Sequence, residues 1–344
     1  MHTYAILKNP GYTRVSFQDS DILATNELTL AALSVENMRH ENIGGIPYLL
    51  FDRDMSLNEN EFIMLSRLSF TYALFEMTKD KLLRPITLTP NYFLNQELSA
   101  ILKYSGKTNE LFTRLMLNLA QFHIKNPVSH LNILDPLAGK GTTLYESLMQ
   151  NHNAYGIEIE QNPPKESQTY LKKYLETARY KHTSHTEKIS GTSSFGKFTA
   201  TRYQLEISRN KAEERQGDLR QFEIISGDTR ATAHFFKKSY FHAIIADLPY
   251  GVQHGSKSGS EKRPKSITRN AMGLISEAMP GWIKCLKPGG VVVLAWNLFL
   301  IPRDDMIKLL IENGLKISEA ASMLTFAHRV DQAIDRDVII GMKS

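Results

Sequence analysis

The chain has 344 residues, 42% of them hydrophobic and 22% charged, which is enough apolar side chain for a real core and enough length for roughly two domains. One cysteine, Cys285, excludes an internal disulfide and any Cys-based zinc site, and reads as a small core residue in a reducing compartment. The N-terminus (Met1 to Lys8) has no apolar leader core, and the longest apolar run, Val291 to Ile301, is broken by Asn297 and too short to span a bilayer, so the expectation is a cytoplasmic protein with no membrane association.

In chain order, Tyr4–Leu7 and Tyr48–Phe51 read as strands, and Ile22–Leu33 and Glu61–Met77 have helical spacing of apolar residues. Residues 1–105 are therefore expected to form a small N-terminal α/β domain, possibly RNA-binding, and residues 106–344 a second domain entered through a Leu-rich helix at 107–124. From 131 onward strands are expected near 131–135, 154–159, 222–226, 241–247 and 291–296. Helices are expected near 142–151, 164–180, 269–286 and 303–313. Such alternation argues for a parallel sheet covered by helices on both faces. Two last strand-like pieces, at 316–327 and 336–342, could close an edge.

Between the second and third of these strands lies a basic insertion at 161–220, too long for an ordinary connection. Its polar middle, Thr183 to Thr199, reads as a mobile loop or a substrate-facing insertion. Net charge is +5. Residues 161–220 hold 12 Lys/Arg against 7 Asp/Glu, an excess equal to that of the whole chain, and residues 251–270 add five against one. Basic charge on either side of the motifs described next suits a polyanion partner, although a solvated surface has the same composition.

Two motifs carry chemistry. Asp135-Pro136-Leu137-Ala138-Gly139-Lys140-Gly141-Thr142-Thr143 follows an apolar strand and opens a helix. Gly139 and Gly141 let backbone press against a ligand, and the helix starting near Thr142 turns free N–H groups toward it. Lys140 is followed by Gly141, so this is not a P-loop, and Leu144 stands where a dinucleotide fingerprint needs its third Gly. Glu158, with Ile159 beside it and Glu160 as a fallback, ends the next strand, where a carboxylate can accept hydrogen bonds from both ribose hydroxyls. Asp228, followed by Thr229, ends the third and could accept from an adenine amine.

The second motif is Asp247-Leu248-Pro249-Tyr250-Gly251, after the strand at 241–247. An amine conjugated to a base is a poor nucleophile and needs acceptors that fix its N–H bonds. The Asp247 carboxylate and Leu248 carbonyl can supply them, Pro249 stiffens the turn, and Tyr250 offers a flat face for the base. Asp247 can also take the proton that is lost. Asn162-Pro163-Pro164-Lys165 looks like the same turn but lacks the aromatic, and reads as a helix start. His182 and His185 could share a helical face, but without a third ligand they predict no metal site.

In these motifs, with Lys287-Pro288-Gly289-Gly290, the chain resembles the class I S-adenosylmethionine-dependent methyltransferases over about residues 107–344. Within them it is similar to the THUMP-associated guanine-N2 tRNA methyltransferases of the RNA methylase family, which carry a related Asp-x-Pro-aromatic turn. The resemblance implies a Rossmann-like, doubly wound, mostly parallel sheet of seven strands with the last one antiparallel. It implies S-adenosyl-L-methionine held by Asp135, Pro136, Leu137, Ala138, Gly139, Gly141, Thr142, Glu158, Ile159, Asp228 and Thr229. Catalysis would fall to Asp247, Leu248, Pro249 and Tyr250, and the partner would be RNA, tRNA above all, during its processing. Residues 1–105 show no convincing THUMP domain. Two other readings stay open: an amino-methyltransferase acting on adenine N6 or cytosine N4 of DNA, and a non-catalytic RNA-binding protein on the same fold. The oligomeric state is not legible.

Overall fold

The computed structural model describes every residue except 12, 13, 32, 96, 97, 100–107, 126, 127 and 251–270. Gly251 and the basic stretch at 251–270 therefore lie outside the described residues.

The N-terminal part is an antiparallel five-stranded sheet of β1 (His2–Lys8), β2 (Glu36–Ile43), β3 (Ile46–Arg53), β4 (Thr71–Met77) and β5 (Leu83–Ile86), in the order β2-β3-β1-β4-β5. It is accompanied by α1 (Arg14–Leu30) and α2 (Glu59–Arg67). The expected helix over Glu61–Met77 is half wrong. It stops at Arg67, because Ser69 turns aside to donate its N–H and hydroxyl to the buried Glu27 carboxylate. From Thr71 onward the chain pairs with β1, so tertiary pairing overrides the helical spacing.

The helix α3 (Glu110–His123), capped by Asn109, belongs to two cores. Leu111 packs with the N-terminal sheet, while Phe112, Leu115, Met116 and Leu119 pack on the second sheet. Asn118 of α3 donates to Glu27 of α1 at 2.7 Å, and burial raises the pKa of that glutamate while this bond and those from Ser69 oppose the rise.

The second sheet holds β6 (Asn132–Asp135), β7 (Asn153–Glu158), β8 (Lys181–Ser193), β9 (Gly196–Ser208), β10 (Arg220–Ser226), β11 (Phe241–Asp247), β12 (Leu286–Asn297), β13 (Leu315–Ile317), β14 (His328–Arg329) and β15 (Asp335–Lys343). Their order is β13-β15-β12-β11-β6-β7-β10-β9-β8, with β14 beside β15. The run from β12 to β10 is parallel throughout, and β15 lies antiparallel to β12. The expectation of a mostly parallel, seven-stranded sheet needs correction: the described sheet is mixed and has ten strands.

Much of the difference is the insertion. Of the two readings of its polar middle, the loop is corrected: the segment is a β-hairpin of two 13-residue strands, β8 and β9, that extends the sheet edge beside β10. The alternation of Thr, Ser, Tyr and Ile there suits a strand, and its low hydrophobicity suits an edge. His182 and His185 consequently sit on a strand, three residues apart and so on opposite faces. The expected strand over 316–327 is also corrected. It ends at Ile317, and Ser318 caps a short helix instead.

Helices cover both faces. Ile244 and Ala246 of β11 pack with α8 (Ala271–Cys285) and α9 (Arg303–Glu312), while Ala243 and Ile245 face α3. On the β7–β10 side lie α4 (Thr142–Met149) and α5 (Asn162–Thr177), the latter opening on Pro163 and Pro164. Short helices α6 (Lys211–Gln216), α7 (Thr232–Phe235) and α10 (Glu319–Ser322) complete the chain. No helix among the described residues is long and apolar enough to cross a membrane.

The turn between β6 and α4 rests on Gly156 in the middle of β7. A Cβ there would lie 2.9 Å from the Ala138 Cβ and 3.0 Å from a Leu144 methyl, closer than carbon atoms pack. Gly156→Ala should therefore destabilise the protein by about 1–3 kcal/mol, read as a lowered urea midpoint; an unchanged midpoint would contradict this packing.

Candidate active site at the carboxyl edge of the sheet

Strands β6, β7, β10 and β11 all end at one edge of the sheet, where open α/β sheets bind ligands. There they surround a pocket of about 480 Å³, within the range of small-molecule sites. Of the residues singled out from sequence, Pro136, Leu137, Glu158, Ile159, Asp228, Thr229, Asp247 and Pro249 line it.

The others stand behind this lining. Asp135 is 5% exposed, and its carboxylate accepts the Leu137 N–H at 3.0 Å and a hydrogen bond from the Thr143 side chain. Ala138 is held to β7 by its N–H on the Ile157 carbonyl. Gly139 and Gly141 both have positive φ, +52° and +89°, as the tight turn requires. A Cβ on Gly141, at the N-cap of α4, would also meet the Ser167 hydroxyl at 2.9 Å. The Gly139 N–H donates to Glu158 Oε2 at 3.0 Å, so loop and strand-end acid fix each other. Thr142 is buried in the first turn of α4. Glu160 is exposed and touches Glu158 only through its backbone N–H.

Asp228 accepts a two-pronged guanidinium from Arg230, which also reaches Glu277 at 2.9 Å. Arg230 and Glu277 complete that wall with Gly273 and Leu274 of α8. These residues carried no sequence signal, because their roles depend on a helix far along the chain. Among the described residues, four carboxylates, Glu158, Asp228, Asp247 and Glu277, thus face the pocket against one guanidinium. Such a field suits a cation and opposes phosphate groups.

In the second motif, Leu248 is buried in the core and its N–H donates to the Ala295 carbonyl at 2.8 Å, anchoring the turn to β12. Tyr250 donates its hydroxyl to Asp247 Oδ1, and Thr108 donates to Oδ2 at 2.7 Å. Burial, then the Asp247 charge, holds the Tyr250 hydroxyl well above its usual pKa, so it remains a donor. Arg336 of β15 lies over the Tyr250 ring at 4.9 Å and over Phe112 at 4.2 Å, with a guanidinium nitrogen 4.0 Å from Asp247 Oδ2. One face of Tyr250 is therefore already covered, a difference from the open stacking face expected from sequence. Arg336 was also missed: a lone arginine in a strand gives no sign of its target until β15 is seen to return beside β12.

Among the described residues no group of three or more His, Cys, Asp or Glu is arranged to hold a metal ion.

No family model matches the sequence, and no curated protein matches it. Among solved structures the chain is similar to precorrin-6y C5,15-methyltransferase from Geobacter metallireducens, at 11% identity over 71% of this chain and 94% of that one, TM-score 0.38. It is likewise similar to magnesium protoporphyrin IX methyltransferase from Synechocystis with bound S-adenosylmethionine, at 12% over 70% and 87%, TM-score 0.36. A proposed RNA methyltransferase from Pyrococcus horikoshii matches at 15% over 73% and 91%, TM-score 0.37. At these scores the likenesses carry no argument for this chain, whose chemistry rests on its own strand order and pocket.

Burial drives the Asp135 pKa up from 3.8 to about 7, and the nearby charges of Asp247 and Glu158 add to the rise. The folded protein then binds more protons than the unfolded chain between about pH 4 and 7, so this group's contribution to stability falls as pH rises through that window. Asp135→Asn should gain stability over the parent from pH 5 to pH 7, by at most roughly 1.4 kcal/mol per unit, and no further above it. Thermal melts at pH 5 and pH 8 test this; an equal difference at both would refute it.

Proposed function

We propose that this chain is an S-adenosylmethionine-dependent methyltransferase acting on an exocyclic amine of a nucleobase in RNA, and that the base is guanine, modified at N2 in tRNA. The observation that carries the reading is the placement of Asp247 and its proline turn in the same acidic pocket as Glu158 and Asp228. The residues fit the cofactor. Glu158 faces the pocket where ribose hydroxyls need an acceptor, Leu137 and Ile159 offer apolar surface, and the excess of carboxylates suits a sulfonium cation but not a dinucleotide. S-adenosylmethionine supplies a methyl group made electrophilic by that sulfonium.

Asp247 does the rest at its two oxygens. Among the described residues each accepts one hydrogen bond, from Tyr250 or Thr108, and a carboxylate oxygen so engaged can accept a further bond from a substrate N–H. Holding the amine this way directs its nitrogen lone pair out of the base plane, and positioning supplies most of the rate. The amine would lose a proton as it is methylated, and an Asp247 oxygen would accept that proton and pass it to solvent. Arg336 stabilises the carboxylate beforehand. The guanine and tRNA assignments rest on the Asp-Leu-Pro-Tyr turn and the basic segments, with the N-terminal sheet as a second RNA contact.

Incubation with methyl-labelled S-adenosylmethionine and unmodified tRNA, followed by digestion, should give N2-methylguanosine. Asp247→Ala should lower that rate by at least about 100-fold while S-adenosylhomocysteine binding stays within a few fold. Full activity in the variant would sink the assignment, and label in DNA adenine or cytosine instead would move it to the DNA amino-methyltransferases.

A further inference from the structure

Two large aromatic side chains stand in water at the carboxyl edge of the second sheet, each beside an arginine. Phe195, 47% exposed, lies at the tip of the β8–β9 hairpin. Because β10 ends opposite Thr201, the hairpin runs past the sheet edge, and its tip meets the guanidinium of Arg230 at 4.6 Å from the ring centroid. Arg230 is itself part of the pocket wall. Phe299, 59% exposed, lies just beyond the end of β12, with Arg329 5.9 Å from its ring centroid. Arg329 is braced by the carbonyls of Asp331 and Gln332, at 2.9 and 2.8 Å.

The sheet order sets their relation to Asp247. Its strand, β11, lies between β12, which leads to Phe299, and the β6-β7-β10-β9 side, which leads to Phe195. The two pairs therefore flank the pocket on opposite sides. Isolated exposed aromatics are ordinary, but two ring–guanidinium pairs at the same edge of the sheet, one on each side of Asp247, present flat faces with cationic neighbours. Unpaired nucleobases stack on such faces whatever their identity. The guanidinium of Arg329, which among the described residues bonds only backbone carbonyls, can also meet the phosphate that follows, whereas that of Arg230 is taken up by Asp228 and Glu277. A lipid surface or a folded protein would need a contiguous apolar patch, whereas these two pairs stand on separate parts of the sheet with the carboxylate-lined pocket mouth at Asp228 and Asp247 between them.

We propose that Phe195–Arg230 and Phe299–Arg329 are stacking platforms for the unpaired bases on either side of the target nucleotide. The enzyme thus takes its substrate as a single-stranded segment whose central base is extruded into the pocket. This rests on the nucleobase reading of the Asp247 site.

The test uses the full chain and an unstructured 12-nucleotide RNA carrying 2-aminopurine, with a blunt RNA duplex as control. Phe195→Ala and Phe299→Ala should each weaken single-strand binding about 5- to 100-fold, with the slope of affinity against salt unchanged. Phe→Trp should retain binding at either position, whereas Phe→Leu, equally apolar but not flat, should not. Arg329→Gln should reduce the salt slope by about one. S-adenosylhomocysteine affinity and melting temperature should stay at parental values in the Phe299 variants, and within about twofold for affinity in the Phe195 variants. If both alanine variants bind the 12-mer as tightly as the parent, the platforms are refuted and the Asp247 reading stands. If the parent binds S-adenosylhomocysteine but neither RNA, both fall.

Discussion

Carboxylates set at the ends of adjacent parallel strands repel one another, and much of the pocket's construction answers that repulsion. Asp135, Glu158 and Asp247 end β6, β7 and β11, and the charges of the latter two help to raise the pKa of the first. Each acid has donors built against it. Asp135 has the Leu137 N–H and the Thr143 side chain, Glu158 has the Gly139 and Glu160 N–H groups, and Asp247 has Tyr250 and Thr108 with Arg336 behind them. The glycine turn is shaped by these demands as much as by any ligand. It can deliver an N–H to Glu158 only because Gly156 lets Ala138 settle onto β7.

The parts legible in the sequence were those with a local physical signature. Apolar runs ending in Asp135, Glu158, Ser226 and Asp247 became strands because a buried parallel strand needs nothing else. The chain order of the motifs then brought Glu158, Asp228 and Asp247 to one pocket. What stayed hidden depends on contacts distant in sequence. Ser69 breaks a helical pattern because of Glu27, forty-two residues earlier. Arg336 meets Asp247 only because the final strand returns antiparallel beside β12. The hairpin at 181–208 was polar enough to pass for a loop, since an edge strand with one face in solvent needs few apolar residues.

The hairpin also changes how the site is bounded. In a sheet ending at β10, Asp228 would sit at an open margin. Here the hairpin tip places Phe195 against Arg230, which holds Asp228 and Glu277 together. That side of the pocket is thereby walled by three separate stretches of chain, and a basic insertion that looked like an addition to the fold becomes part of the pocket's surround.

The buried Glu27 carboxylate is shared by α1, the turn at Ser69 and α3, and α3 lends side chains to both cores. Pulling the N-terminal sheet and α1 away from α3 would take the Asn118 amide from that carboxylate and uncover Leu23, Leu111 and Phe122 together. The two sheets are therefore coupled in unfolding, so heating should melt them in a single cooperative transition, and either half made alone would carry an exposed apolar seam.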